Sequence, residues 1–98
     1  MTINKTKSGD SLVLALEGRL ETTTAPELEA VVNDELAGVA DLTFDFAALD
    51  YVSSAGLRVL LAAQKKMNAQ GKMKITNVNE IVSEVFEITG FSDILTIE

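Results

Sequence analysis

The stretch LDYVSSAGLRVLL, Leu49 to Leu61, decides how the chain folds around it, because it joins a strand to a helix. Before its two adjacent serines the residues are apolar and aromatic types common in strands, and after them come strong helix formers. In open α/β sheets, ligands and chemistry gather where the carboxyl end of a strand meets the start of a helix. Ser53 and Ser54 are therefore candidates both for a helix cap and for a functional site.

Strands and helices continue to alternate on both sides of this stretch. Short runs rich in Val, Leu and Ile, bounded by turn residues, predict strands, and apolar residues three or four positions apart predict helices. The predicted strands cover residues 2–7, 11–18, 41–49, 72–78 and 93–98, and the predicted helices cover 23–38, 54–71 and 79–91.

The predicted order β-β-α-β-α-β-α-β places the chain in the α/β class. Helices between successive strands imply a mostly parallel sheet with the helices packed on it. The first two strands form a hairpin turned at Gly9-Asp10, which makes the sheet mixed. We expect four to five strands in one domain that covers residues 1–98, since this length fits a single domain.

Local signals predict where the helices begin and end. Thr24 with Glu27 three residues later has the pattern of a capping box, and Pro26 suits a first helical turn. Asn79 is the expected cap of the last helix. A glycine follows each helix and is expected to end it: Gly38, Gly71 and Gly90.

Composition excludes several classes of function. The formal net charge of −7 argues against sequence-independent nucleic-acid binding, which needs clustered Lys and Arg. With no His and no Cys, neither the usual zinc sites nor a Ser–His–Asp or Cys–His apparatus can be built, and we expect no metal and no cofactor. No apolar run approaches the ~18 residues of a membrane span and no signal peptide is evident, so we expect a cytoplasmic protein without membrane insertion.

Spacing alone suggests three roles for the two serines, and the second of them, a nucleophile elbow, is rejected. A serine at a helix start commonly accepts a hydrogen bond from a first-turn N–H, worth typically ~1 kcal/mol, and spacing favours this role. Ser54-Ala55-Gly56 matches the second half of the nucleophile elbow G-x-S-x-G, but Val52 replaces the first glycine and no His can act as base. A phosphate-binding loop is weakly supported, because there is one glycine and no Lys follows it.

Three segments, in one order along the chain, resemble the STAS domain family of anti-sigma-factor antagonists. SSAGL within the opening stretch resembles the signature that the family carries between a strand and a helix. GRLETTTAPEL at 18–28 resembles its Gly-x-Leu-Asp segment, and VFEITGF at 85–91 resembles its Phe-x-x-[ST]-Gly-[LF] segment. The resemblance extends over nearly the whole chain and implies the STAS fold.

This resemblance implies a regulatory binding protein and not an enzyme. The unmodified protein would bind an anti-sigma factor that is a serine kinase of the GHKL type, phosphorylation would dissociate the pair, and a PP2C-type phosphatase would reset it. The family's phosphorylated serine lies two residues before the glycine, which corresponds to Ser54. Ser53 is the reserve candidate, because it stands where the family often has Asp, and Ala55 replaces a second hydroxyl residue.

The residues expected to contact the partner lie around these serines. Glu21 matches a family Asp and would meet a basic patch, while Arg58, four residues after Ser54, would reach a phosphate or a partner carboxylate or simply face solvent. Gly56 either lets a partner backbone approach or lets the helix pack tightly. The expected partner-binding set is Glu21, Thr24, Ser53, Ser54, Ala55, Gly56 and Arg58, with Thr24 assigned to capping first.

Two other functions are compatible with parts of the sequence. The same fold could serve as a cytoplasmic accessory subunit that docks on the ATPase of an ABC-type membrane transporter. Co-purification would separate the two, with a GHKL-type kinase on one side and an ABC ATPase on the other. Nucleotide binding or hydrolysis by the domain itself is disfavoured by the missing phosphate loop, and titration with ATP and GTP would test it.

Overall fold

The computed structural model describes all 98 residues and has the predicted order of elements up to the last strand. The strands and helices, followed by a 3₁₀ turn at Phe91–Asp93, are β1 (Thr2–Ser8), β2 (Ser11–Leu20), α1 (Ala25–Glu35), β3 (Asp41–Val52), α2 (Ser54–Asn68), β4 (Lys72–Thr76) and α3 (Glu80–Thr89).

The four strands form one mixed sheet in the order β1-β2-β3-β4. β1 and β2 pair antiparallel through their tight hairpin, while β2 with β3 and β3 with β4 pair in parallel. Helices α1 and α2 make the crossovers between the parallel strands, as that pairing requires. The predicted fold class is confirmed.

One face of the sheet carries the core. Alternate residues of β2, β3 and β4 are buried, while the residues between them are at least partly exposed. The apolar sides of the three helices close this face, and Phe86 of α3 lies 6.4 Å from Phe46 of β3, ring centroid to ring centroid. All three helices therefore pack on the same side, and the other face of the sheet is uncovered.

The uncovered face is lined by polar and small side chains. Among them Asp45 accepts hydrogen bonds from the Asn77 side chain and from the Ala47 amide, each at 3.0 Å. These two donors hold the pKa of Asp45 below its ordinary value, because they stabilise the carboxylate. None of the helices is long and apolar enough to cross a bilayer.

The predicted last strand, 93–98, is wrong. Phe91–Asp93 form a 3₁₀ turn, and only Ile97 makes a parallel bridge, to Ile75 of β4. The bridge consists of Ile75 N–H to Thr96 O and Glu98 N–H to Ile75 O, both at 2.9 Å. The sheet thus has four strands with a single bridging residue at the β4 edge.

The glycines after the helices differ in what they do. Helix α1 ends at Glu35 with Leu36 as its C-cap, so Gly38, with φ of +77°, lies in the turn after the helix and does not end it. Gly90, with φ of +80°, is the C-cap of α3 in the left-handed conformation, as predicted. Helix α2 instead ends at Asn68, before Gly71 is reached. At Gly71 a Cβ atom would collide with the backbone of Ala40, so this glycine is needed for close approach rather than for the helix end.

Candidate functional site

The carboxyl ends of β2, β3 and β4 lie at one edge of the sheet, and a helix begins after each of them. Backbone and side-chain hydrogen bonds connect the three junctions. Ser53 N–H donates to Leu20 O at 2.9 Å, and the Asn79 side chain donates to Leu49 O at 2.9 Å. The bond from Ser53 to Leu20 places Glu21, the next residue, beside the start of α2. Two segments distant in sequence therefore form one surface, as expected for the candidate site.

Ser53 occupies the N-cap position of α2 without acting as a side-chain cap. Its backbone is extended, with φ −96° and ψ 176°, and its carbonyl accepts the Leu57 N–H at 3.0 Å. The side-chain hydroxyl makes no cap hydrogen bond. Its oxygen is buried and has no hydrogen-bond partner at all. The cap predicted from spacing is thus present in the backbone and absent in the side chain.

Ser54 differs from its neighbour in exposure. It is the first residue of α2 and is exposed to solvent. No other group of the protein hydrogen-bonds its hydroxyl. The free N–H groups of the first turn and the helix dipole make this position favourable for a negative charge. An added anion would therefore be tolerated by the fold.

Gly56 is the third residue of α2, in its first turn, and is buried against the end of β2. A Cβ atom at this position would lie 2.6 Å from Leu20 Cγ and 3.1 Å from Leu20 O. Of the two roles that the sequence left open, the geometry supports tight packing of the helix. Ala55, half-buried beside it, contributes its methyl group to the rim of the site.

Thr24 was predicted to form a capping box with Glu27, and that prediction is wrong. Thr24 is the N-cap residue of α1, but its side chain makes no cap hydrogen bond to the helix. The hydroxyl accepts the Glu21 N–H at 2.9 Å and donates to Arg19 O at 2.7 Å. It therefore holds the turn between β2 and α1, because these two backbone groups lie closer to it than the first-turn amides.

Glu21 is paired within the protein. Arg19 Nε donates to Glu21 Oε2 at 3.1 Å, and the Arg19 guanidinium lies 4.7 Å from the centroid of the Tyr51 ring. All three side chains lie at the carboxyl ends of β2 and β3, where Arg19 is opposite Tyr51 in the strand register. The negative charge of the Glu21 carboxylate is therefore partly neutralised by Arg19.

Arg19 and Tyr51 were missed as site residues by reading the sequence. Their contact depends on the pairing of β2 with β3, whose register shifts between Ala15 and Glu17 and again between Gly18 and Arg19. The signal in the sequence was a charged residue at the end of an apolar strand, but its partner could not be found without the register. Arg58, by contrast, is exposed one turn after Ser54 and takes part in none of the ion pairs.

The chain matches known proteins over its full length. A model of the STAS domain family matches residues 2–98. BtrV of Bordetella bronchiseptica, which its name assigns to the anti-sigma factor antagonists, is 36% identical over 103 residues, covering 99% of this chain and 85% of BtrV. The anti-sigma-B factor antagonist of Staphylococcus epidermidis is 34% identical over 80 residues, covering 80% of this chain and 74% of that protein.

Solved structures agree with this assignment at the level of the fold. An anti-sigma factor antagonist from Mycobacterium paratuberculosis superposes with a TM-score of 0.88 at 21% identity, covering 98% of this chain and 83% of that one. The anti-sigma factor antagonist SpoIIAA in its unphosphorylated form gives a TM-score of 0.83 at 18% identity, covering 99% and 88%. The chain belongs to the STAS domain family.

Proposed function

We propose that this protein is an anti-sigma-factor antagonist switched by phosphorylation of Ser54. The observation that carries the proposal is the contrast between the two adjacent serines at the start of α2. The Ser54 side chain is exposed, whereas the Ser53 hydroxyl oxygen is buried. A kinase must bring its phosphate donor to the hydroxyl oxygen, so accessibility favours Ser54 over the reserve candidate Ser53.

The names of the relatives support the proposed antagonist function. BtrV and the Staphylococcus epidermidis protein carry the name anti-sigma factor antagonist, and both align with most of this chain. SpoIIAA, which shares the fold, has also been solved in a phosphorylated form. By its family this protein acts as a regulatory binding protein, and its place of action is the cytoplasm, where sigma factors and their regulators meet RNA polymerase.

The phosphate acts on the partner and leaves the fold intact. A phosphoserine adds about −1.5 to −2 charge, and an anion at a helix N-terminus is favoured by typically 0.3–1 kcal/mol. If a partner covers Ser54, the same charge must be buried in the interface. An unpaired buried charge costs several kcal/mol, and each ~1.4 kcal/mol is tenfold in affinity. Phosphorylation would therefore release the partner.

The docking surface consists of the exposed part of the two joined junctions. Glu21 and Thr24 contribute from the turn after β2, and Ser54, Ala55 and Arg58 from the start of α2, while Ser53 and Gly56 lie beneath the surface. A basic group on the partner would compete with Arg19 for the Glu21 carboxylate, and Arg58 would meet an acidic group. The partner is an anti-sigma factor with serine kinase activity of the GHKL type, and a PP2C-type phosphatase restores the binding form.

The test is a comparison of variants with a GHKL-type anti-sigma kinase encoded in the same genome. Wild type and Ser54→Ala should be captured equally, and Ser54→Asp should bind at least about tenfold more weakly, by biolayer interferometry. Mass spectrometry after incubation with the kinase and ATP should place one phosphate on Ser54 of the wild type and none on Ser54→Ala.

Ser8→Asp is the matched control, because Ser8 is also exposed but lies at the β1–β2 hairpin, at the opposite end of β2. This variant should bind like the wild type. Equal binding of Ser54→Asp and wild type would contradict the switch. A phosphate found on Ser53 would contradict the choice of serine while leaving the antagonist function in place.

A further inference from the structure

The large apolar side chains that the protein exposes all lie in α3 and in the segment after it. They are Ile81 and Ile88 of α3, with exposed fractions of 59% and 85%, and Ile94 and Ile97 further along the chain. Single exposed apolar residues scattered over a surface need no explanation, whereas a group of them marks an interaction surface. The outer side of α3 is therefore a candidate for such a surface.

Ile81, Val85 and Ile88 form one row along α3, which we call the α3 row. Their spacing of four and then three residues places them on the same side of the helix, one above another. Val82 and Phe86, on a different side, are buried and attach the helix to the core. The row extends over about 10 Å, because a helix rises 1.5 Å per residue. A row of this kind is what the apolar side of a facing helix packs against.

The charges beside the α3 row are all of one sign. Glu80, Glu84 and Glu87 of α3 are exposed, and none of them takes part in an ion pair. Residues 75–98 include five acidic residues and neither Lys nor Arg, so this segment carries −5 of the net charge of −7. A partner that covers the α3 row would therefore meet carboxylates only.

These carboxylates also lie where the helix itself does not favour them. Glu80 and Glu84 are four residues apart and Glu84 and Glu87 are three apart, and like charges at these spacings repel one another along a helix. Glu87 lies in the last turn, where the helix dipole favours a cation and where α3 has no basic residue. A Lys or Arg supplied by a partner would relieve both conflicts.

Charge argues against two other occupants of this surface. A second copy of the chain that packed its own α3 on the first would bring the glutamates of both helices together, which costs affinity. A membrane surface of anionic lipids would repel the same carboxylates. A basic partner is the one that complements both the apolar row and its acidic border.

We propose that the outer side of α3 docks an amphipathic helix of a partner protein, whose apolar stripe is bordered by Lys or Arg. The apolar stripe packs on Ile81, Val85 and Ile88, and the basic side chains pair with Glu84 and Glu87. The proposal goes beyond the proposed switch and does not depend on it, because it uses none of the residues of the docking surface at the start of α2.

The test is an NMR titration of the ¹⁵N-labelled full chain with a synthetic helical peptide of about 18 residues, made of Leu and Lys with the leucines on one side. The peptide should bind with a Kd below about 100 μM and should shift the amides of α3 most strongly. Two control peptides should each bind at least about tenfold more weakly. One has the same composition in an order that leaves no apolar side, and the other has Glu in place of Lys.

Variants separate the apolar row from the charges. Ile88→Ser removes the most exposed side chain of the row, so the fold is not at risk, and it should weaken binding about tenfold. Glu84→Gln combined with Glu87→Gln should weaken it by at least about as much. Glu27→Gln combined with Glu29→Gln is the matched control, because it changes the net charge equally at exposed positions of α1. This control should change the Kd by less than about twofold.

Ser54→Asp should bind the peptide as the wild type does, since the α3 row is separate from the switch. No binding of the Leu–Lys peptide, shifts centred outside α3, equal binding of either control peptide, unchanged affinity in Ile88→Ser, or equal weakening by the two pairs of glutamines would overturn the proposal. Loss of binding in Ser54→Asp would also overturn it, because the two surfaces would then be one. Self-association of the free protein that Ile88→Ser abolishes would assign the surface to a second copy instead.

Discussion

Helices α2 and α3 begin at the same edge of the sheet, yet their first turns are held in opposite ways. At α3, the Asn79 side chain accepts the Val82 N–H at 2.8 Å and donates to Leu49 O at 2.9 Å. At α2, the Ser53 hydroxyl is buried without any partner, and the helix start is fixed by Gly56 against Leu20 and by the Ser53 backbone. One start is held by a side chain, the other by close packing and backbone.

The difference explains how a modifiable residue can sit at a helix start. Where a side chain holds the first turn, a change to that side chain also destabilises the helix. At α2 no hydroxyl has a structural role, so the exposed Ser54 can change its charge without loosening the turn. The start of α1 belongs to neither type, because the Thr24 hydroxyl bonds only to the preceding turn and makes no hydrogen bond to the helix.

Gly56→Ala should destabilise the protein, since it attacks the packing that replaces a side-chain cap at α2. The new Cβ would lie 2.6 Å from Leu20 Cγ, and overpacking of this kind costs typically about 1–3 kcal/mol. Urea unfolding followed by circular dichroism would measure the loss in the free energy of unfolding. The loss is expected despite the higher helix propensity of alanine, which favours the variant by about 1 kcal/mol.

The same substitution in a Leu20→Ala background is the control. Leu20→Ala alone should cost about 2–5 kcal/mol, because Leu20 is completely buried. It also empties the space that the new methyl group needs, so adding Gly56→Ala should cost less than half of what it costs in the wild type. An undiminished cost would show that contact with Leu20 is not what fixes the start of α2.

Asn79→Ala should have an effect of similar size, because it removes a side chain that makes two hydrogen bonds at the start of α3, one to the helix and one to β3. Loss of a helix cap costs typically ~1 kcal/mol, and the bond to Leu49 O adds about 0.5–1.5 kcal/mol. The decrease in the urea concentration at the midpoint of unfolding reports the sum of these two losses. Asn79→Ser keeps an acceptor for the Val82 N–H but cannot reach Leu49 O, so it should recover the cap part only. If neither variant lowered the midpoint, the contrast between α2 and α3 would fail.

The sequence predicted features that depend on periodicity or on neighbours a few residues away. Alternating Leu42, Phe44 and Phe46 predicted a strand, and all three side chains are buried on one face of the sheet. The cap of α3 joins the Asn79 side chain to the Val82 N–H only three residues later. The order of elements followed from such local signals, and the sheet topology from the rules that join them. The family segments then pointed to the candidate site.

Features decided by contacts between distant segments were not predictable. Thr24 is a separate case, because its hydroxyl bonds to Glu21 N–H and Arg19 O just before it, whereas the capping-box pattern considers only the residues after it. Gly71 resembles a helix stop, but its lack of a side chain is required by the backbone of Ala40, 31 positions earlier. The final segment has strand-like residues, yet only Ile97 reaches the β4 edge.

Thr24→Val tests the hydroxyl at the start of α1 with almost no change in shape. The Glu21 N–H would lose its acceptor and Arg19 O its donor, so we expect a loss of about 1–2 kcal/mol in the free energy of unfolding. Thermal unfolding measures it. Thr22→Val, at an exposed threonine of the same turn, should change stability by less than about 0.5 kcal/mol. Equal effects at Thr22 and Thr24 would mean that the hydroxyl does not hold this turn.

Ser53→Ala should have the smallest effect on stability. The sign of its change in the free energy of unfolding is the sharpest test of the contrast between the starts of α2 and α3. A hydroxyl that caps α2 would cost typically ~1 kcal/mol to remove. A buried hydroxyl without a partner should instead be neutral or slightly favourable to lose, because the folded state no longer bears its desolvation cost. We expect a change between zero and a gain of about 0.5 kcal/mol.

Phosphorylation should also distinguish the two serines, but in this measurement the loss of the Ser54 hydroxyl has the effect and the loss of the Ser53 hydroxyl has none. Ser53→Ala should still accept phosphate from the anti-sigma kinase, and Ser54→Ala should not, although both variants should be folded. A clear destabilisation by Ser53→Ala would show that the hydroxyl turns to cap the helix in solution. In that case the start of α2 would be held like that of α3, and the freedom of Ser54 could no longer be attributed to packing alone.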